Sequence, residues 1–245
     1  MLAIIGGSGL YQLAGLEVRQ HRVARTPFGE PSGPLTIGAI RDRELVFLAR
    51  HGYGHTIAPH QVNYRANLWA LKDMGVARVV AVAAVGGIRA DLGPGMLLVP
   101  DQILDYTWGR AATFYEGREA QVTHIDFTEP YAATERARIL AAAKGCGEAI
   151  VDGGVYATTQ GPRLETAAEI TRLERDGADV VGMTGMPEAA LARELDLPYA
   201  AIAVVANYAA GRGDSARVIS LEQIAAVLEQ AMSRVRRIIE QLVIA

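Results

Sequence analysis

The chain has 245 residues, 50% hydrophobic and 21% charged, so it is long enough to bury a large core and is neither disordered nor fibrous. Its 24 Lys and Arg against 27 Asp and Glu give a net charge of −3 with no block of like charge, which argues against nucleic acid or a membrane surface as a partner. The single cysteine, Cys146, excludes an internal disulfide and fits a cytoplasmic location. The first residues form no basic leader and no apolar run reaches the ~18 residues of a spanning helix, so neither secretion nor membrane insertion is expected.

Short apolar runs alternate with longer helical patterns, which predicts an α/β fold with a central mixed sheet flanked by helices. Compact hydrophobic runs predict strands over residues 2–5, 45–48, 79–85, 96–99 and 199–206. Helices are predicted over residues 63–74, 131–144, 166–175, 187–196 and, with helical spacing of its apolar residues, 221–242. Ser220 and Gln223 have the spacing of a capping box at the start of the last helix. Because no linker or repeat interrupts the chain, residues 1–245 are expected to form a single domain.

The stretch over residues 105–129 is the least regular part of the sequence, and its structure is not predicted. It contains Trp, Phe and Tyr together with several charged residues. Long irregular segments are often functional, so this stretch is interpreted as a functional loop or an interface.

A glycine-rich turn over residues 6–9 directly follows the first predicted strand. Its backbone N–H groups and the Ser8 hydroxyl could cradle an anion, or the turn could simply join a strand to a helix. Gln12 stands where a dinucleotide fingerprint requires glycine, and no Gly-Lys-Ser/Thr follows. Dinucleotide and ATP binding are therefore disfavoured.

A second cluster, over residues 50–55, follows another predicted strand. Arg50 is suited to bidentate binding of a phosphate. His51 and His55 have i, i+4 spacing, but Gly52 and Gly54 disfavour a helical zinc site, and no Glu lies between the histidines. No metal site is predicted.

Further polar and small residues follow other predicted strands, and each can be explained by a structural role. Gly86 is either a turn glycine or a point of close approach to a flat ligand. Glu165 could be a solvated residue beside a helix start, residues 183–188 a capping turn, and Asn207 a turn residue. None of these residues alone indicates a functional site.

Taken together and in this order, these motifs resemble the trimeric purine nucleoside phosphorylase family, above all its methylthioadenosine phosphorylase branch. The resemblance covers nearly the whole chain. The matching stretches are Ile4 to Leu10, Thr26 to Gly29, Leu48 to Gly52, His55 to Ile57, Val62 to Asn67, Gly161 to Arg163, and Pro187 with Glu188.

The resemblance implies cleavage of the N-glycosidic bond of a purine nucleoside by inorganic phosphate, a co-substrate, in a homotrimer that requires no metal or organic cofactor. Catalytic roles are assigned by position to Arg50, His51, Glu165 and Asn207. Substrate-binding positions are Ser8, Thr184 and the Ala84 backbone N–H for phosphate, Met183 for the ribose, and Gly86 and Leu164. Ala83 departs from the branch, which carries a threonine hydroxyl there, so phosphate is expected to bind more weakly or a neighbouring group to substitute.

The base pocket departs from the methylthioadenosine branch. That branch reads a 6-aminopurine with two aspartates, whereas Asn207 and Ala209 occupy these positions, and Glu165 with Thr166 resembles the inosine and guanosine phosphorylases. A carboxylate can accept from N1–H of a 6-oxopurine, and an amide can donate to O6 and accept a proton at N7. The sequence therefore predicts 6-oxopurine specificity.

The 5′ end points back to the methylthio branch. The inosine and guanosine phosphorylases use a histidine after the base-reading asparagine, but no histidine follows His124 here. Leu221 and Ile224 occupy the region where that histidine would lie, and they either line a pocket for the 5′ group or belong to the core. The resemblance matches His55 and His124 to residues of the methylthio pocket. It implies that His124 comes from a neighbouring subunit.

An oxopurine end combined with a methylthio end predicts 5′-methylthioinosine as the substrate. The alternatives are a broad inosine and guanosine phosphorylase, a methylthioadenosine phosphorylase and, from other classes, a nucleoside-binding protein without catalysis or a hydrolase.

Overall fold

The computed structural model describes residues 1–10, 12–13, 15–117 and 121–244. They form one mixed sheet of eleven strands and five α-helices. The strands are β1 (Leu2–Gly6), β2 (Glu17–Arg22), β3 (Leu35–Ile40), β4 (Arg43–Ala49), β5 (Arg78–Gly87), β6 (Leu97–Val99), β7 (Gln102–Asp105), β8 (Val151–Asp152), β9 (Val155–Thr158), β10 (Val180–Gly182) and β11 (Tyr199–Tyr208). The helices are α1 (Tyr64–Asp73), α2 (Ala133–Gly145), α3 (Ala167–Arg175), α4 (Glu188–Glu194) and α5 (Leu221–Ile244).

Strand β5 is the centre of the sheet. It pairs in parallel with β1 along its first residues and with β11 along nearly its whole length, while β1 pairs in parallel with β4. Near its end, β5 also pairs with the antiparallel strand β10, which places Val181 opposite Gly86. The carboxyl ends of β1, β4, β5 and β11 therefore meet at one edge, and the segment after β10 returns alongside β5.

Successive residues of the central strands enter two different cores. Ile4 and Val80 belong to a cluster with the apolar face of α5, whereas Ile5 and Val79 belong to a cluster with α1 and α4. This alternation is what a strand buried on both faces requires, since neighbouring side chains point to opposite sides. The predicted α/β fold with a mixed sheet covered by helices is confirmed.

All five predicted strands and all five predicted helices are present, with bounds shifted by a few residues. Asn63 is the N-cap of α1 and accepts from the Ala66 N–H, and Thr166 forms a capping box with Glu169 at the start of α3. Ser220 accepts from the Gln223 N–H at 3.3 Å, as its spacing predicts.

The sequence did not predict six of the strands, which are β2, β3 and β7 to β10. Strand β2 is exposed along its whole length, so it lacks the apolar pattern on which strand prediction depends. Strands β8 and β10 have only two and three residues. Residues 106–117 and 121–132, which include most of the irregular stretch, form neither helix nor strand.

Among the residues that the structure describes, no helix combines the length and the apolar character needed to cross a membrane.

Candidate active site

A cavity of about 520 Å³ opens at the edge where the carboxyl ends of β1, β4, β5 and β11 meet. Ligand sites of α/β sheets lie at this edge, and the volume is in the range of small-molecule pockets. Every predicted site residue other than His124 contributes to its wall: Ser8, Arg50, His51, His55, Ala84, Gly86, Leu164, Glu165, Met183, Thr184, Asn207, Leu221 and Ile224.

The glycine turn after β1 is shaped by close backbone contact. A Cβ on Gly7 would lie 2.5 Å from the Val82 carbonyl oxygen and 3.0 Å from Arg50 Nη1. Glycine is therefore required for the turn to pass between strand β5 and the arginine. The turn carries Ser8 into the cavity wall.

Arg50 is held by a buried carboxylate. Its Nε and Nη2 donate to Glu188 Oε2 and Oε1 at 2.6 and 2.8 Å, and the two side chains are 1% and 0% exposed. Nη1 donates to the Val82 carbonyl at 3.0 Å, and the Tyr199 hydroxyl donates to Glu188 at 2.8 Å. Burial lowers the pKa of the Arg50 guanidinium, but the attraction and hydrogen bonds of Glu188 outweigh it and raise the pKa overall.

This pairing corrects one sequence expectation. The bidentate partner of Arg50 is Glu188 rather than a free anion. A guanidinium has five N–H donors, and these three bonds leave one on each terminal nitrogen for a ligand in the cavity.

His51 follows Arg50 and is fixed by a backbone contact. Its Nδ1 lies 2.9 Å from the Ile57 carbonyl oxygen, so Nδ1 must carry the proton and donate. Burial, followed by repulsion from Arg50 and His55, lowers the pKa of His51 to about 4. His51 is therefore neutral at pH 7, with a lone pair on Nε2.

His55 lies beside His51, with ring centroids 4.6 Å apart. Burial lowers its pKa as well. In the described part of the chain, no group of three or more His, Cys, Asp or Glu side chains could hold a metal ion.

Glu165 and Asn207, 42 positions apart in the sequence, line the same cavity. The Thr159 hydroxyl donates to Glu165 Oε1 at 2.6 Å, which orients the carboxylate. Asn207 lies where the pairing of β11 with β5 shifts register after Val205, and its Nδ2 donates to the Tyr208 carbonyl at 2.5 Å. Such irregularities re-aim side chains next to active sites.

Met183 and Thr184 follow β10, and Thr184 is buried. The Thr184 N–H donates to the Tyr156 hydroxyl at 3.4 Å. Gly161 has a φ of 60°, and a Cβ there would lie 2.4 Å from Met183 Sδ, so the segment carrying Glu165 packs directly on the segment carrying Met183.

Part of the cavity wall, over residues 219–228, is apolar. Ile224 packs partly against the core cluster under α5, whereas Leu221 is 70% exposed and is not a core residue. Both contribute to the wall together with Ile219 and Leu228. Of the two alternatives, Leu221 lines the cavity and is not a core residue, whereas Ile224 both lines the cavity and packs against the core.

His124 does not join the site within one chain. It is exposed and lies outside the cavity wall. Its predicted role would require a neighbouring subunit, so it stays a prediction.

The structure adds two residues that the sequence reasoning missed. Glu188, which the sequence places in a capping turn, holds Arg50, and Thr159, which no sequence motif marks, holds Glu165. A glutamate buried after a proline at a helix start gives no pattern of its own, because its partner Arg50 lies 138 positions away.

The cavity wall thus combines two groups of polar residues, the Arg50 end and the Glu165 end, with apolar side chains. One end has the Ser8 turn, two free donors of Arg50 and a neutral His51; the other has an anionic acceptor, Glu165, and the Asn207 amide. This arrangement suits a ligand that is flat and polar at one end and anionic at the other.

Comparisons with known proteins agree with this chemistry. Residues 1–244 match the model of the family described as the phosphorylase superfamily. A relative from Pseudomonas syringae pv. tomato, named "Probable S-methyl-5'-thioinosine phosphorylase", is 56% identical over 234 residues, which cover 96% of this chain and 94% of the relative. A relative from Pyrococcus furiosus, named "6-oxopurine nucleoside phosphorylase", is 48% identical over 215 residues, covering 86% of this chain and 80% of the relative.

Among solved structures, methylthioadenosine phosphorylase from Schistosoma mansoni in complex with adenine superposes with a TM-score of 0.94. It is 34% identical and covers 99% of this chain and 90% of its own. The chain belongs to the phosphorylase superfamily and is a pentosyltransferase of the nucleoside phosphorylase type.

Proposed function

We propose that the protein cleaves S-methyl-5′-thioinosine with inorganic phosphate, giving hypoxanthine and 5-methylthioribose 1-phosphate. The observation that carries the proposal is that Glu165 and Asn207 line one cavity together with the apolar residues Leu221, Ile224 and Leu228. The relative from Pseudomonas syringae is named for the same substrate.

The base end supports a 6-oxopurine. The described contact of Glu165 with Thr159 involves Oε1, so Oε2 can accept from N1–H of hypoxanthine. One Asn207 N–H bonds to Tyr208, and the second can donate to O6 while Oδ1 accepts from N7–H. Adenine would instead turn the N1 lone pair toward an anionic carboxylate, and such polar mismatches discriminate by about 10⁴-fold or more.

The other end supports phosphate as the attacking group. A phosphate oxygen forms a bond to C1′ while the C1′–N9 bond breaks, and the bonding pair leaves with the purine anion, which takes up a proton at N7 from solvent water. The two remaining Arg50 donors, Ser8, Thr184 and the Ala84 N–H are the groups we assign to phosphate, with His51 beside them. In the transition state C1′ carries its greatest positive charge and the base is gaining the bonding pair, so a phosphate held beside C1′ and hydrogen bonds to the base lower the barrier together.

The 5′ side favours a methylthio group over a hydroxyl. Leu221, Ile224 and Leu228 offer no hydrogen bond to a hydroxyl, and leaving one unsatisfied costs about 1–3 kcal/mol. His55 also lines the cavity. We further propose a homotrimer in which His124 of a neighbouring chain completes this wall, with no metal or organic cofactor.

A broader 6-oxopurine nucleoside phosphorylase is the second candidate. The high exposure of Leu221 leaves the 5′ wall open in a single chain, and the relative from Pyrococcus furiosus is named for this wider activity. Both candidates share the base end and differ at the 5′ end alone.

The test compares three nucleosides at saturating phosphate: methylthioinosine, inosine and methylthioadenosine. We expect kcat/KM for methylthioinosine to exceed that for inosine by about 5–150-fold, which is the equivalent of 1–3 kcal/mol, and methylthioadenosine to be a poor substrate. Equal rates with methylthioinosine and inosine would favour the second candidate. A preference for methylthioadenosine would refute the base-end argument, and unchanged turnover without phosphate would indicate a hydrolase.

The subunit proposal has its own test. Light scattering should give three times the chain mass, and His124→Ala should raise the KM for methylthioinosine more than the KM for phosphate. A monomer with full activity would contradict it.

A further inference from the structure

Arg110 lies in the irregular stretch and reaches two segments that wall the cavity. Its Nη2 donates to the Gln160 and Thr159 carbonyls at 2.8 and 3.3 Å, and its Nη1 donates to the Met186 and Met183 carbonyls at 2.6 and 2.9 Å. Its Nε donates to the Gln160 side-chain oxygen at 3.2 Å. Nη1 also lies 3.4 Å from the Tyr64 hydroxyl, so four of the six acceptors are main-chain carbonyls.

The six contacts engage all three nitrogens of the guanidinium, and therefore all five of its N–H donors. The same group lies over the Tyr64 ring, 5.6 Å from its centroid. A lysine ammonium has three donors from a single nitrogen and could not reach both segments in this fan. The arrangement therefore needs arginine at this position.

The two segments are those that carry the opposite ends of the site. Residues 159–165, the base segment, end in Leu164 and Glu165; residues 183–187, the ribose segment, begin with Met183 and Thr184. They contact each other at Gly161 and Met183. Arg110 itself does not line the cavity, so any effect on the reaction must act through these segments.

We propose that Arg110 is a positioning residue for phosphorolysis: it fixes the base segment to the ribose segment and so sets the distance between the carboxylate that reads the base and the residues against ribose and phosphate. The proposal rests on the assignment of this cavity as the catalytic site. Its physical reason is that the transition state needs base and phosphate in register at C1′, and a misplacement of about 1 Å can cost about 100-fold in rate. Either ligand alone needs no such register.

This reasoning separates catalysis from binding. When Arg110 is removed, kcat should fall by about 10–100-fold, because the transition state contacts both segments at once. Binding of hypoxanthine alone or phosphate alone should change by about threefold at most, since each ligand engages mainly one end. A residue that only stabilised the fold would lower the melting temperature and leave kcat of the folded enzyme unchanged.

The experiment uses Arg110→Ala in the full chain, assayed well below its melting temperature with the nucleoside that the wild-type enzyme cleaves fastest. An error in the proposed substrate therefore leaves this test intact. Guanidinium chloride at about 20 mM, far below denaturing concentrations, is then added, with sodium chloride and urea as controls. We expect guanidinium to restore at least about a tenth of the lost kcat and the two controls to restore none.

Arg193→Ala is the matched control. Arg193 also donates to main-chain carbonyls of the irregular stretch, those of Asp126 and Glu129, but it does not line the cavity. Its kcat should remain within about twofold of wild type and should not respond to guanidinium. Arg110→Lys, which keeps the charge, serves as the second variant if the alanine variant does not fold, and its kcat should also fall by at least about tenfold.

Wild-type kcat in the folded Arg110→Ala or Arg110→Lys variant would overturn the proposal. A loss of kcat in Arg110→Ala that guanidinium does not repair, or an equal loss in Arg193→Ala, would overturn it as well.

Discussion

The two ends of the cavity are built differently. At the Arg50 end, the charged groups are fully buried and tied to strands and helices: Glu188, the Val82 carbonyl and the Tyr199 hydroxyl hold the guanidinium. At the Glu165 end, a partly exposed carboxylate takes one hydrogen bond from Thr159, and Asn207 bonds to its own neighbour. The Arg50 end is part of the core, whereas the geometry of the Glu165 end depends on a few partly exposed side chains.

Because of this difference, residues at the Glu165 end should tolerate substitution better than residues at the Arg50 end. Changes at the Arg50 end disturb a buried ion pair and therefore the fold, while changes at the Glu165 end should, under the proposed function, alter which atoms a purine meets. Relatives of this chain bear names that differ in the purine. The predictions below test this division, beginning with the core end.

Glu188→Gln should have the largest effect. It leaves the Arg50 charge buried without its counter-ion, and breaking such a pair costs about 3–5 kcal/mol of unfolding free energy. The KM for phosphate should rise as well, because Arg50 loses the partner that orients it. Chemical denaturation and phosphate titration of the rate measure the two effects.

Glu135→Gln is the control for this variant. Glu135 is also fully buried and paired, with Arg78 and Arg138, but it does not line the cavity. It should destabilise the protein and leave the phosphate KM unchanged. If both variants change that KM equally, Glu188 has no special link to the site.

The low pKa of His51 makes stability depend on pH. Its pKa is about 4 in the folded protein against 6.5 in the unfolded chain, so the unfolded state binds more protons between these values and stability rises with pH across that window. The full contribution is present above pH 6.5, and on the order of 3 kcal/mol is lost as the pH falls to about 4. Denaturation of wild type and His51→Gln at several pH values measures the difference, and parallel curves for the two proteins would contradict it.

Glu165→Gln tests the base end. The amide can still accept from N1–H through its oxygen, but the charge-assisted bond is lost, which is worth about 1.5–3 kcal/mol or about 10–150-fold in kcat/KM for methylthioinosine. The amide can also donate to the N1 of adenine, so the preference over methylthioadenosine should narrow. Unfolding free energy should change little. An unaltered ratio of the two substrates would remove Glu165 from base recognition.

Asn207→Asp should have a smaller effect in the same direction. An aspartate cannot donate to O6, so turnover of the oxopurine should fall by about tenfold, the loss of one hydrogen bond of about 1.5 kcal/mol, and some 6-aminopurine should be admitted. The ratio of hypoxanthine release to adenine release measures it. An unchanged ratio counts against the assigned role.

Ile224→Asn should have the smallest effect. A polar group in the 5′ wall reduces the advantage of the methylthio group by about 1 kcal/mol, or roughly fivefold in the ratio of methylthioinosine to inosine. Leu228 lines the cavity but is buried in the core, so Leu228→Met is a volume-conserving control that should leave the ratio unchanged. Equal ratios in wild type and Ile224→Asn would show that the wall does not select the 5′ group.

The fold could be predicted where local pattern and burial coincide. The central strands are apolar on both faces, and α5 combines the capping spacing of Ser220 and Gln223 with apolar residues at helical intervals, so sequence alone located them. Strand β2 could not be found because its stability comes from pairing with β3 rather than from its own pattern.

The same limit applies to the site. The resemblance identified residues that line one cavity in the structure, but the sequence did not indicate the side chains that hold those residues in place. Glu188 is remote from Arg50 in sequence, and Arg110 acts through main-chain carbonyls, which exist at every position and leave no mark on residue type. Such supporting contacts follow from the folded geometry alone.

The Arg50 and Glu188 pair has a consequence for how substrates arrive. Arg50 is compensated within the protein, and His51 carries no charge at neutral pH, so this end of the cavity projects little positive field into solvent. We therefore expect phosphate to be bound by hydrogen-bond donors at contact distance, without long-range electrostatic attraction. Its association rate should vary only weakly with ionic strength, unlike that of enzymes that steer anions electrostatically.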